Sequence, residues 1–283
     1  MDPFREPPQT PMSVVIPDAP PKRRTGRIIA IGLVAAVAIA GVAFAVTRRD
    51  GTPKYSLTAA QGSTGEVKSI VFSTTTGGFG NEVTADIDVD VEHGLTHVTM
   101  DLGDDVVGLG GALEMIVDVE NKVSYINGSF FEGLGIPLPT EWLSMDDDFL
   151  AENGEDSVFN TATVGNPLDA TVAIKDAIKT EEIGFDEVGG VKVKHYRVTF
   201  RSEDVFGLNE QLASQLDELG GVMPDELVYE FYVDEQNLVR RVTYQIDIGA
   251  GEVTTDITVV SINEPVNIEI PDAADVTDAR DFL

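Results

Sequence analysis

The stretch VTADIDVDVEHGLTHVTMDL, residues 83–102, decides the fold. Val83, Ala85, Ile87, Val89 and Val91 alternate with Thr84, Asp86, Asp88, Asp90 and Glu92. After His93-Gly94, Val98, Met100 and Leu102 alternate with His97, Thr99 and Asp101. Successive side chains of a strand point to opposite faces, so the pattern reads as a hairpin with one apolar and one acidic face, turning at His93-Gly94. Asp86, Asp88, Asp90 and Glu92 read as a solvent-facing strand edge whose repulsion resists pairing with another chain.

The same period of two recurs along the chain. Met115, Val117 and Val119 are expected to pair with Val123 and Tyr125 around a turn at Glu120-Asn121. Tyr196, Val198, Phe200; Tyr229, Phe231, Val233; Val242, Tyr244, Ile246, Ile248; and Val253, Thr255, Ile257, Val259 continue it, which predicts a large antiparallel sheet with one apolar face. Helices are fewer. Asn166-Pro167 opens one through about Ile178, Leu208 to Leu219 carries a leucine stripe ended by Gly220-Gly221, and a short one follows Asp146. The fold class is α+β, the helices being needed to cover the apolar face.

Charge divides the chain. The first 49 residues hold seven basic and three acidic side chains, so the remaining 234 carry −34 of a formal net charge of −30. Such a domain repels nucleic acid, which requires clustered Lys and Arg. Residues 1–27 are proline-rich and read as a disordered cytoplasmic tail. Ile28 to Val46 is apolar and uncharged, about 28 Å as a helix, long enough to span a bilayer. Lys22, Arg23, Arg24 and Arg27 before it place the N-terminus in the cytoplasm and the main domain outside the cell membrane. Ala43-Phe44-Ala45 leaves a cleaved signal peptide as the alternative. Residues 47–56 read as a stalk and 57–283 as the extracytoplasmic domain. With no cysteine, the chain has no disulfide, thiolate site or lipid-attachment cysteine.

No catalytic motif or cofactor loop is present, and no enzyme class or cofactor is expected. His93 and His97, four apart, would align two metal ligands on a helix but not across a turn and a strand. His195 shares a polar strand face with Arg197, Thr199 and Arg201 and reads as exposed and structural. The acidic groups Asp101, Asp104, Asp105 and Asp146, Asp147, Asp148 read as solvated. Phe130 to Leu150 is apolar, holds the single tryptophan, and is broken by Gly133, Gly135, Pro137 and Pro139. It reads as an irregular loop that either plugs the core or lines an apolar pocket.

An ordered series of short motifs then points to a family. Val123-Ser124-Tyr125-Ile126 leads through Pro137-Leu138-Pro139-Thr140-Glu141-Trp142-Leu143-Ser144-Met145-Asp146 to Asn166-Pro167-Leu168. Glu182-Ile183-Gly184-Phe185-Asp186-Glu187-Val188-Gly189-Gly190-Val191 follows, then His195-Tyr196-Arg197-Val198-Thr199 and Phe231-Tyr232-Val233-Asp234 through Arg241, and finally Glu264-Pro265-Val266-Asn267-Ile268. The series resembles the actinobacterial LppX/LprG-type lipoproteins of the wider LolA-like group. The resemblance implies a curved antiparallel half-barrel with helices on its concave side. It also implies a lipid or acyl-chain ligand carried through the cell envelope. The chain departs from that pattern in lacking the lipidated cysteine, with a transmembrane helix in its place. The expected function is a membrane-anchored extracytoplasmic binder of a lipid or other long apolar ligand, with Phe130, Phe131, Trp142, Phe149, Phe185 and Phe206 as candidate lining residues. The alternative is a non-enzymatic envelope interaction or sensor module with the same fold and a filled core.

Overall fold

The computed structural model describes residues 53–61, 67–78, 81–102, 112–133, 135–152, 173–202, 204, 224–247 and 251–282. The sheet strands are β1 Ser69–Gly78, β2 Asn81–Asp90, β3 Leu95–Asp101, β4 Ala112–Asp118, β5 Val123–Asn127 and β6 Trp142–Asp146. The second half supplies β7 Lys179–Val188, β8 Val191–Arg201, β9 Glu226–Asp234, β10 Val239–Asp247, β11 Glu252–Ile262 and β12 Val276–Asp278. They form one curved, unclosed twelve-stranded sheet in the order β12-β6-β5-β4-β3-β2-β1-β11-β10-β9-β8-β7. All neighbours are antiparallel except β12, which runs parallel to β6. Register shifts at Val71/Phe72, Glu182/Gly184 and Val239/Arg241 bend their strands, as extra residues in a ladder do.

The alternation becomes one continuous apolar face. Directly opposed residues share a face, and one row runs Leu143, Ile126, Met115, Val98, Ile87, Phe72, Val259 across seven strands. A second runs Ala85, Thr74, Ile257, Val242, Phe231, Tyr196 across six. All of these residues are buried. Among the described residues four short helices accompany the sheet: α1 Leu57–Gln61, α2 Gly128–Gly133, α3 Asp147–Glu152 and α4 Ala279–Phe282. Leu57, Ala60, Phe130, Phe131, Leu150 and Ala279 from these helices join the same buried cluster as the two rows.

Aspartates close three hairpins at one end of the sheet. Asp90 accepts the His93 amide at 3.1 Å, and Asp118 accepts the backbone and side-chain N–H groups of Asn121 at 2.9 and 2.7 Å. Asp234 accepts the amides of Gln236 and Leu238 at 2.8 and 2.9 Å and Arg240 Nε at 2.7 Å. Part of the chain's acidity is therefore turn chemistry, a short carboxylate satisfying the amides that leave the ladder.

Several expectations are corrected. The segment 130–150 is not an irregular loop throughout: it contains most of α2, β6 and the start of α3. The strand bearing Asp86, Asp88 and Asp90 is no edge, since β2 pairs with β1 on one side and β3 on the other. Val123 faces Asp118, and Tyr125 faces Ile116, so Ser124 and Ile126 share the face of Val117 and Met115. A four-residue turn with Lys122 at φ 53° sets this register, one residue from the expected one, and a slip of one exchanges the faces. The short helix after Asp146 is present as α3, with Asp146 Oδ1 accepting the Phe149 amide at 2.8 Å. Of the expected helix ending near Ile178, only a 3-10 turn over Ala173–Asp176 falls among the described residues, and Lys179 already begins β7. The leucine-striped segment 208–219 and the apolar run 28–46 lie outside the described residues. No helix among the described residues is long and apolar enough to cross a membrane.

Candidate functional site

The inner face is built by strand alternation and capped locally by aromatic packing. Phe200 meets Tyr229 edge-on at 5.5 Å and Phe231 at 6.5 Å, while Tyr229 stacks on Phe231 at 6.0 Å and lies 4.8 Å from Tyr244. Burial pushes the Tyr229 phenol well above its ordinary pKa. Burial also raises Tyr244, against the lowering effect of its hydrogen bond with Thr255. Both are therefore neutral hydroxyls at any physiological pH.

Three of the six candidate aromatics lie in or against the buried cluster of this face. Phe130 and Phe131, buried on α2, pack edge-to-face at 5.4 Å, and half-buried Phe149 on α3 packs against the same cluster. The Arg280 guanidinium lies 5.8 Å from the Phe149 ring centre, and the same side chain binds Asp146 Oδ1 at 2.5 Å and Oδ2 at 2.8 Å. Those hydrogen bonds hold Asp146 below the ordinary carboxylate range. Trp142 is placed elsewhere. It alternates with the buried Leu143 and Met145, which puts it on the opposite face of β6. Phe185 stands on the edge strand β7, 58% exposed, with the Tyr55 ring 5.2 Å away and Lys192 Nζ 4.2 Å from its centre. Phe206 lies outside the described residues. The interior aromatics Phe200, Tyr229, Phe231 and Tyr244 were legible only as strand residues, because an aromatic at an inward position looks the same whether it packs or lines a site.

The N-terminal approach to the domain is fastened to this end of the sheet. Lys54 Nζ pairs with Glu235 at 2.9 Å, the Tyr196 hydroxyl donates to the Tyr55 carbonyl at 2.6 Å, and the Ser56 amide donates to Asn237 Oδ1 at 2.7 Å. Residues 54–56, within the stretch expected to be a stalk, thus lie against the β9–β10 turn and β8.

The outer face is polar and organised. His195, expected to be exposed, is largely covered: its ring stacks on Tyr232 at 4.4 Å and 11°, and Nε2 lies 2.5 Å from Glu230 Oε2. Glu230 also accepts Arg197 Nε at 2.7 Å, and Arg241 pairs with Asp256 one strand further on. An open groove of about 800 Å³ passes over these pairs, lined by Glu82, Arg197, Val228, Glu230, Arg241 and Asp256 among others. His93 and His97 hold separate carboxylates, Asp90 at 2.7 Å and Glu114 at 3.0 Å. The hydrogen bond to Asp90 raises the His93 pKa. Among the described residues no three potential ligands converge on a metal position.

These features define a class: an unclosed antiparallel sheet with one sealed apolar face, one polar face and a few short helices. Solved structures with a similar fold include the lipoprotein LppX of Mycobacterium tuberculosis, at 14% identity and a TM-score of 0.44 over 72% of this chain and 90% of that one. LprF of Mycobacterium bovis is similar at 17% identity and a TM-score of 0.48, over 78% of this chain and all but 1% of that one. The MucA/MucB complex of Pseudomonas aeruginosa is similar at 13% identity and 0.35, over 75% of this chain and 56% of that one. No protein-family model and no curated protein matches the chain.

Proposed function

We propose that the protein is a membrane-anchored extracytoplasmic binder of a lipid or other long apolar ligand, which it holds or hands over in the cell envelope. One observation carries the reading: a largely apolar, buried face extends across the sheet from β6 to β8, and the sheet does not close on itself. A closed barrel would fill its interior with its own side chains, whereas an open sheet with an inward apolar face depends on what is laid against it. Short helices bring Phe130, Phe131 and Leu150 onto that face, which makes it the concave side in this reading. The driving force is desolvation of an acyl chain, about 0.8 kcal/mol per buried CH₂. Phe130, Phe131 and Phe149 are the proposed contacts. Ile28–Val46 serves as the anchor, and fixed tethering suits local holding or transfer rather than long-range shuttling.

Organic extraction of the purified full chain followed by mass spectrometry tests the reading. An acyl lipid in repeated preparations supports it, and none, together with no uptake of a fluorescent fatty acid, refutes it. The outer groove favours a second reading, a protein-interaction module with a filled core. That reading instead expects co-purifying protein, with no lipid in the extract.

A further inference from the structure

We infer that the inner face carries a hydroxyl-lined position for the polar linkage of its ligand, taking the carbonyl of an acyl ester. The inference rests on the apolar-ligand reading and adds the chemistry of the ligand's polar part. Strand register places Thr76, Thr255, Tyr244 and Tyr229 in one line across β1, β11, β10 and β9. Val83 and Val198 bound the line on either side. Thr76 Oγ1 and Thr255 Oγ1 stand 3.4 Å apart, and the two tyrosine rings are neighbours at 4.8 Å. Thr74, two residues from Thr76 and therefore on the same face, sits in the adjoining row between Ala85 and Ile257. It is 5% exposed, and its Oγ1 has no hydrogen-bond partner among the described residues.

A buried hydroxyl without a partner is destabilising, and apolar packing gives no reason for threonine where valine has the same shape. Five hydroxyls gathered at one end of a largely apolar face, one of them unpartnered, are suited to an acceptor brought in by a ligand. The line also lies where that face approaches solvent: Val83, Thr76, Tyr244 and Val253 are half-buried, while Phe72, Ile87 and Ile257 are sealed. An ester carbonyl at the hydroxyls directs the attached chain along the sealed rows. Threonine and neutral tyrosine donate one hydrogen bond each and bring no positive charge, which selects an uncharged carbonyl over a carboxylate or phosphate.

The full chain, held in amphipol, is incubated with the methyl ester of pyrenedodecanoic acid or with dodecylpyrene, which lacks the ester. Bound probe is counted after gel filtration against an amphipol blank. The wild type is expected to retain the ester severalfold better than the hydrocarbon. Thr74→Val and Tyr244→Phe are expected to lose that preference, retaining the ester no better than dodecylpyrene. With a carbon-13-labelled carbonyl, the bound ester's infrared stretch should lie lower in the wild type than in either variant. Equal retention of both probes by the wild type, or an unshifted carbonyl, overturns the inference and leaves the apolar-ligand reading standing. Retention of neither probe overturns both.

Discussion

Replacing Asp234 by alanine tests how the β9–β10 turn holds both the sheet and the N-terminal segment. The carboxylate is 2% exposed and accepts three hydrogen bonds, from the amides of Gln236 and Leu238 and from Arg240 Nε. Alanine leaves the buried Leu238 amide without its side-chain acceptor and a largely covered guanidinium without its counter-charge. Breaking a buried pair in this way costs about 3–5 kcal/mol, chiefly from the charge left behind. Taking about 4 kcal/mol and roughly 2–4 °C per kcal/mol for a domain of this size, Tm should fall by about 10 °C. Asp234→Asn keeps an oxygen for the amides but not the charge, and should lose about half as much. Glu235→Gln next door neutralises the exposed partner of Lys54 and should change stability by less than about 0.5 kcal/mol. Thermal unfolding followed by circular dichroism on the full chain reads all three. An Asp234→Ala variant as stable as Glu235→Gln would refute the assignment of this turn as a buried, charge-closed junction.

Phe231→Ala removes a fully buried ring from the middle of the inner face and should cost about 3–5 kcal/mol, whereas Phe185→Ala on the exposed edge should cost less than about 1 kcal/mol, both measured by denaturant titration. Tyr196→Phe removes the donor to the Tyr55 carbonyl; about 1 kcal/mol of local stability should go, seen as faster hydrogen exchange over 56–61 with β1–β4 unchanged. Because Arg280 lowers the Asp146 pKa, the ion pair contributes stability that is present above the ordinary aspartate pKa and is lost as pH falls through the depressed one. Carbon-detected NMR should therefore find the Asp146 midpoint below the ordinary carboxylate range in the wild type and back within it in Arg280→Ala.

The sequence was most informative where strands have one wet and one dry face. Residues 83–92 and 97–102 alternate on either side of His93-Gly94, and the β2–β3 hairpin follows directly. Alternation reports faces, not neighbours, which is why the aspartates of β2 read as an edge although the strand lies inside the sheet. One true edge, β7, was hidden for the converse reason. Nearly all of Lys179–Val188 is exposed, so no buried side imposes a period of two on KTEEIGFDEV. Before β6, the breakers Gly133, Gly135, Pro137 and Pro139 suggested an irregular apolar loop, but a strand follows in which Leu143 and Met145 face inward. The β4–β5 register turned on one residue, since Val119 and Val123 look like inward positions and belong to the turn end. Candidate lining residues were legible as large and apolar, but not by face. Phe130 and Phe131 share the buried cluster, while Trp142 and Phe185 are separated from it by the pleat and by the sheet edge.

The central claim is that the concave apolar face holds a lipid or other long apolar chain. Its most direct test is mass spectrometry of the organic extract from the purified, denatured full chain, with a blank prepared from the same membranes. An acyl-chain lipid is expected near one per protein and absent from the blank. Extracts that repeatedly match the blank, from protein that also takes up no fluorescent fatty acid, would contradict it.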